Sequence, residues 1–545
     1  MVLGFRWSGW SPESQVLFMK NERKPKPGLA YNALRLREHE FQVAWASRDL
    51  DKCVEVLEKV LVLNPRSTNA YFQLARVYGL RYQHDDAIRV LDEAVRRSPK
   101  EQRVLALAEA GKTAKEFFDP SVAAEFLKRA VEAAAASRGR HALDDLADAK
   151  LALAEHFRFT RCKAEAAELV EQVLEDLPHD KSARLLWCKL NESDVENCLD
   201  ELNDLMDGAE GEFRVKVAYQ LGKMRDKAGD FAGAMEALIE AKQPMMGVRD
   251  ALVSNRIKVR AQLSDFIREF DRKKLDEWNA AAGGLGEPKR IALLGGHPRS
   301  GTTLLEQSLD AHSDAVSIEE TENFSVCFYC KVMKGLPARA SIVDAMDACE
   351  PENLVSYRQG YLDAAERCLQ EKVGDRLLID KNPSLTFLAP SFLRLFPEAK
   401  LLVMLRDPRD VVLSCFMQAF FPPDLVTGNF LTLTDAAAEV NHLLMAWAEL
   451  REHLQETLCE IRYEDLVSDL KGNVKRSLGF LGLGWSDDVV NFDKHAGQRV
   501  VRSPSADAVT EKVHRKAAGR WENYQDYLGP AIEVLSPSLK ALGYA

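Results

Sequence analysis

The 545-residue chain lacks any run of the roughly 18–20 apolar residues needed to cross a bilayer, so no membrane-spanning helix is expected. Met1 to Gln15 carries Arg6, Trp7, Gly9 and Trp10 where a secretory signal would hold an unbroken apolar stretch. A basic surplus is lacking too: 73 Lys and Arg stand against 84 Asp and Glu, a net charge of -11. That argues against nucleic acid as the main partner, because phosphate backbones call for excess cations. A local basic pocket is compatible with any global charge. The ten cysteines form no framework and are scattered through regular segments, as in a reducing compartment. Cys327 and Cys330 make one CxxC, but no second pair or nearby His completes a metal site, and none is expected. The expectation is a cytoplasmic protein of two or three domains.

The first half holds a repeat. Pro65 and Pro99 stand 34 residues apart, and each closes an amphipathic pattern. The unit ending at Pro99 carries Tyr71, Leu74, Ala75 and Tyr78, then Ala87, Leu91 and Ala94. Small residues at a helix crossing let two backbones approach closely, and large ones fill the groove. The frame recurs with Leu153, Ala154, Phe157, Ala166, Val170, Val173 and Pro178, and with Leu221, Gly222, Ala234, Leu238 and Ala241. It is weaker at Cys53, Leu57 and Val60, and slips between Pro99 and Asp148, where Ala123, Leu127 and Ala130 suggest a repeat with an insertion around Ala133 to Asp144. The pattern resembles tetratricopeptide repeats, which implies an all-α solenoid over residues 29–250. Its concave surface would dock a peptide or partner protein; the alternative is a structural support or dimerising arm. Residues 1–28 read as a flexible lead-in. A charged amphipathic helix and Gly283, Gly284 and Gly286 make 251–287 a helical linker.

From 288 to 545 the pattern becomes short apolar runs alternating with helices, as in a mainly parallel sheet covered on both faces. Candidate strands are Ile291–Leu294, Leu377–Ile379, Leu401–Leu405 and Cys459–Arg462. The first runs into Gly295-Gly296-His297-Pro298-Arg299-Ser300-Gly301-Thr302-Thr303. A strand, a glycine-rich turn and a helix N-terminus together cradle an anion with backbone N–H groups and the helix dipole. The spacing from Gly296 to Gly301 is that of a nucleotide P-loop, but Thr302 replaces the Lys that reaches the β/γ-phosphates, which demotes an ATP or GTP enzyme. Further motifs are Asp380-Lys381-Asn382-Pro383, Arg406-Asp407-Pro408-Arg409-Asp410 with Ser414 behind it, and Arg462-Tyr463-Glu464-Asp465. Ser505 and Arg520-Trp521 follow.

These motifs, in this order, resemble the sulfotransferase superfamily, and the protein-tyrosine sulfotransferase branch in particular. The resemblance implies a P-loop-like α/β domain that uses 3′-phosphoadenosine 5′-phosphosulfate (PAPS) as cosubstrate and releases 3′-phosphoadenosine 5′-phosphate. It assigns Arg299, Ser300, Gly301, Thr302 and Thr303 to the 5′-phosphosulfate, Arg406 and Ser414 to the 3′-phosphate, Tyr463 to the adenine and Arg520 to closure over the nucleotide. In Ser317-Ile318-Glu319-Glu320-Thr321 the position of the general base falls on Glu320. Lys381 and Arg299 would stabilise the transition state, and Ser505 would assist at the bridging oxygen. His297 and His312 are rival bases, and a solvated loop carboxylate is the plain alternative for Glu320. Gln418 replaces a basic residue of the branch, and Ser317 and Ile379 replace a cystine. The acceptor would be a hydroxyl of unstated identity. Oligomeric state stays open, a homodimer being one option because dimers are common among relatives. Two other readings stay open: an inactive tetratricopeptide adaptor and a P-loop kinase.

Overall fold

The computed structural model describes residues 29–117, 120–138, 141–337, 340–419, 427–492 and 513–545. The expected lead-in at 1–28 and the proposed Ser505 lie outside them. The chain divides into two compact units, one ending at Pro244 and the other running from Met245 to Ala545.

The first unit is helical, with α1 (Leu29–Ala46), α2 (Leu50–Leu63), α3 (Thr68–Leu80), α4 (His84–Arg97), α5 (Arg103–Phe117), α6 (Pro120–Ala135), α7 (Ala142–Phe159), α8 (Lys163–Asp176), α9 (Lys181–Leu190), α10 (Val195–Asp207), α11 (Gly211–Ala228) and α12 (Phe231–Lys242). Each odd-numbered helix packs against the next. One spacing recurs, a buried residue followed by buried partners 12 and 16 positions on. It is met by Phe41/Cys53/Leu57, Ala75/Ala87/Leu91, Gly111/Ala123/Leu127, Ala154/Ala166/Val170, Leu186/Cys198/Leu202 and Gly222/Ala234/Leu238. A Cβ on Gly111 would lie 2.6 Å from Leu127 Cγ, and one on Gly222 would lie 2.9 Å from Leu238 Cγ. The helices therefore close to distances that only small residues permit. Seven positions after the first member, Arg48, Tyr82, Arg161 and Gly229 take φ of 54°, 53°, 65° and 80°. The next N–H bonds back across the helix end in each case, as Asp49 does to Ala44 O and Gln83 to Tyr78 O, both at 2.9 Å. This left-handed cap terminates one helix and aims the chain into its partner.

The second unit begins with α13 (Arg249–Glu269) and α14 (Arg272–Ala280). The expectation of a linker over 251–287 is corrected here. Leu263, Phe266, Ile267, Phe270, Leu275 and Trp278 belong to this unit's core. Arg249 donates to both oxygens of buried Asp435 at 2.8 and 2.9 Å, and Arg260 donates to buried Glu439 at 2.6 Å. Periodicity showed an amphipathic segment but not which surface would take its apolar face.

The five strands are β1 (Ile291–Gly296), β2 (Ala315–Glu319), β3 (Leu377–Lys381), β4 (Lys400–Leu405) and β5 (Leu458–Arg462). They form a parallel sheet in the order β2-β3-β1-β4-β5. Alternate residues feed two apolar clusters: Ile291, Leu293, Leu401 and Val403 on one face, Ala292, Leu294, Leu402 and Met404 on the other. Both faces are covered, so the strands read as continuous apolar runs. The helices α15 (Thr302–Asp310), α16 (Pro351–Leu369), α17 (Ala389–Leu395), α18 (Pro408–Phe416), α19 (Leu433–Leu450), α20 (Tyr463–Ser468), α21 (Leu470–Leu481) and α22 (Gln525–Ala541) complete the unit. From β1 the order departs both ways, to β3 and to β4. Such a switch point opens a crevice beyond the carboxyl ends of the strands.

Candidate functional site

The turn after β1 sits at that crevice. Gly296 has φ 137°, and a Cβ there would lie 2.5 Å from Met404 O. Its N–H donates to Thr386 Oγ1 at 2.7 Å. Gly301, at φ 97°, caps α15, and a Cβ on it would lie 2.5 Å from the Tyr463 ring. Neither position admits another residue without displacing backbone or an aromatic ring. Ser300, Thr302 and Thr303 are buried at the start of the helix. Ser300 Oγ has no hydrogen-bond partner among the described residues. Arg299 has φ 73°, a conformation that costs a non-glycine residue about 1 kcal/mol.

Two arginines meet at this turn. Arg299 Nε donates to Ser414 Oγ at 3.0 Å, and Arg406 Nη1 donates to the Arg299 carbonyl at 2.9 Å. Burial pulls the Arg299 guanidinium below the usual arginine value; Arg406 and Arg520 push the same way, while Cys415 and Glu320 oppose them. Arg406 lies 4.6 Å over the Tyr463 ring. Its fork differs from the expectation. Nη1 and Nη2 are committed to the carbonyls of Arg299 and Ala517, and buried Nε has no hydrogen-bond partner among the described residues. The segment around Ala517 is 111 residues away in sequence, so no local motif could show that contact. Gln418 Nε2 turns onto the Ser414 carbonyl at 3.3 Å.

On the other side of β1, β2 and β3 bring carboxylates to one ammonium. Lys381 is fully buried, and Nζ donates to Glu320 Oε1 at 2.7 Å and Glu319 Oε1 at 3.1 Å, with Glu306 Oε2 at 3.7 Å. Burial disfavours the Lys381 charge, but the attraction of Glu306, Glu320 and Glu319 outweighs it and raises the pKa. Glu306, on α15 and almost wholly buried, accepts from Ser317 Oγ at 3.0 Å. Its burial pushes its carboxyl well above the usual value despite Lys381. Glu320 has φ 46°, and its N–H donates to Lys381 O at 2.7 Å. Two candidate catalytic residues, Arg299 and Glu320, thus hold left-handed backbones. Ser317 and Ile379 are register partners on β2 and β3.

The rival bases are placed differently. His312 spends both ring nitrogens, Nε2 on Gly484 O at 3.1 Å and Nδ1 accepting from Asp314 N–H at 3.0 Å. His297 directs Nδ1 to the Pro298 carbonyl at 2.7 Å, and burial lowers its pKa to about 4. Sequence reading missed Glu306, Glu319 and Asp410. Asp410 is buried and accepts from Gly519 N–H at 2.8 Å and Trp521 N–H at 2.9 Å. The signal for Asp410 was its place in the Arg-Asp-Pro-Arg-Asp motif; an isolated glutamate on a helix gives none. Among the described residues, no group of three or more His, Cys, Asp or Glu is placed to hold a metal. Nor is any described helix long and apolar enough to cross a membrane.

An uncharacterised protein of Aquifex aeolicus is 26% identical over 339 residues, covering 60% of this chain and 42% of that protein. Protein-tyrosine sulfotransferase 1 of Danio rerio is 27% identical over 266 residues, covering 47% of this chain and 72% of that one. Among solved structures, the sulfotransferase domain of the Synechococcus PCC 7002 olefin synthase is 19% identical with a TM-score of 0.32, over 46% of this chain and 95% of that one. Residues 292–487, within the C-terminal unit, match the model of the sulfotransferase family.

Proposed function

We propose that this chain transfers a sulfuryl group from PAPS to a hydroxyl acceptor. The observation that carries the reading is the meeting of Arg299 and Arg406, through the Arg299 carbonyl, at a glycine turn that leads into a helix N-terminus, with Ser414 bonded to Arg299. Cations gathered at such a turn suit an anionic ligand with more than one charged group. The residues fit it: among the described residues, Ser300 Oγ and Arg406 Nε are buried polar atoms without hydrogen-bond partners, and a Cβ on Gly296 or Gly301 would crowd the turn.

PAPS supplies the sulfuryl group and departs as 3′-phosphoadenosine 5′-phosphate. Arg299 and the 300–303 backbone would hold the 5′ end, Arg406 and Ser414 the 3′-phosphate, Tyr463 the base and Arg520 the closing side. Glu320 takes the acceptor proton as the acceptor oxygen bonds to sulfur and the bond from sulfur to the phosphate oxygen breaks. Lys381 Nζ donates to Glu320 Oε1 at 2.7 Å and orients the carboxylate. Lys381 and Arg299 meet the charge that grows on the leaving oxygen. The zebrafish relative is named for protein tyrosine, which makes a phenolic hydroxyl the first acceptor to try.

The helical unit is proposed to be a tetratricopeptide array that docks a partner or substrate. Its support is the repeated 12- and 16-residue spacing with left-handed turns. The test of the reaction is transfer from labelled PAPS to tyrosine peptides, simple phenols and saccharides. Transfer abolished in Glu320→Gln, with affinity for 3′-phosphoadenosine 5′-phosphate retained, supports it. Failure of the wild type to turn over with any acceptor class, together with failure to hydrolyse PAPS, overturns it.

A further inference from the structure

The pentapeptide Arg406-Asp407-Pro408-Arg409-Asp410 grips a distant stretch of its own chain. Arg406 Nη2 donates to the Ala517 carbonyl. The two oxygens of Asp410 accept separately, Oδ2 from Gly519 N–H at 2.8 Å and Oδ1 from Trp521 N–H at 2.9 Å. Arg409 lies 4.0 Å over the Trp521 ring. Arg406 Nη2 and Asp410 Oδ2 are 3.7 Å apart, which ties the two halves of the grip together.

The residue between the two captured amides is Arg520. Gly519, at φ 73°, makes the turn that presents both N–H groups to one carboxylate. The bonds hold the Ala518–Gly519 and Arg520–Trp521 peptide units, and the backbone that carries the Arg520 side chain runs between these two anchors. Asp410 is 1% exposed, and burying a carboxylate there is unfavourable unless its bonds are satisfied. Burial raises its pKa, while Arg406 and the two amide bonds oppose the rise. Burying the Arg406 guanidinium without a counter-charge is also unfavourable, and Asp410 is a buried carboxylate 3.7 Å from it.

We propose that Asp410 is a positioning residue that sets Arg520 against the anion site, so that the 406–410 segment couples the nucleotide pocket to the 517–521 segment. The ligand readout rests on the cosubstrate reading above; the amide readout does not. In the full chain, Asp410→Asn should raise the dissociation constant of 3′-phosphoadenosine 5′-phosphate about tenfold, the usual order for one charge-assisted hydrogen bond. Arg520→Ala should do about the same, and the double variant should bind about as weakly as the weaker single one. Independent effects that multiply to about a hundredfold would overturn the coupling. Hydrogen exchange gives the second measurement. In the wild type the amides of Gly519 and Trp521 should be protected, and in Asp410→Asn they should exchange about tenfold faster while α22 is unchanged. Unprotected amides in the wild type overturn the proposal, even if the variant does not fold. A wild type that binds no nucleotide sinks the cosubstrate reading, and the clamp is then decided by exchange.

Discussion

Replacing Lys381 by Met removes the one cation from among three carboxylates while keeping the length of the side chain. Its ammonium lies 2.7, 3.1 and 3.7 Å from Glu320, Glu319 and Glu306. Glu306 keeps only 2% of its side chain exposed. Each pair would be worth several kcal/mol at an effective dielectric constant of about 20, but desolvation consumes much of that. Removing one partner of a buried pair destabilises by about 3–5 kcal/mol. For the second unit that corresponds to a fall in melting temperature of about 6–10 °C. The loss depends on pH. Burial already raises the folded pKa of Glu306, and the loss of Lys381 removes the charge that opposes the rise, so the penalty is absent below the unfolded value and grows as pH rises through the folded one. Thermal melts of Lys381→Met and wild type at pH about 7.5 and about 5 should show a large gap at the higher pH and a smaller one at the lower. A variant that melts with the wild type at the higher pH, or whose loss is the same at both, refutes the buried cage.

Other perturbations have equally definite outcomes. Gly111→Ala gains about 1 kcal/mol of helix propensity but forces a Cβ to 2.6 Å from Leu127 Cγ, so calorimetry should show a net loss of about 1–2 kcal/mol in the first unit. Arg406→Ala should weaken 3′-phosphoadenosine 5′-phosphate far more than an analogue lacking the 3′-phosphate, measured by titration; equal losses would remove that assignment. Burial, reinforced by Arg260 and Arg256, lowers the pKa of His442 to about 4. Its unfolded form takes up a proton near pH 6.5 that the folded form refuses until about pH 4, so this histidine drains stability as pH falls across that window. The melting temperature of His442→Phe should therefore rise relative to wild type between pH about 7.5 and about 5, and a constant difference would contradict it.

Local features of the sequence disclosed much of the architecture. β1, β3, β4 and β5 lie where short apolar runs predict strands, because a sheet covered on both faces needs side chains apolar on both. β2 was not recognised: it is five residues long, and Ser317 and Glu319 break its apolar run. The helix pair α9 and α10 was also passed over. Leu186 and Cys198 stand there in place of the small pair that marks the neighbouring crossings, and α9 is only ten residues long. The glycine turn and the Glu320 motif were legible as residue types, but their partners were not. Glu306 reads as a solvated helix residue until β3 delivers Lys381 beside it. The fork of Arg406 reads as free for phosphate until Ala517 arrives. Pairings set by sheet order or chain return leave no local trace, and these decide which charges are buried.

Calorimetric titration of the purified protein with 3′-phosphoadenosine 5′-phosphate, against ATP and AMP as controls, tests the central claim most directly. The account predicts selective binding of the 3′-phosphorylated nucleotide, since Arg406 and Ser414 are assigned to the 3′-phosphate. No binding, or a preference for ATP, would contradict it.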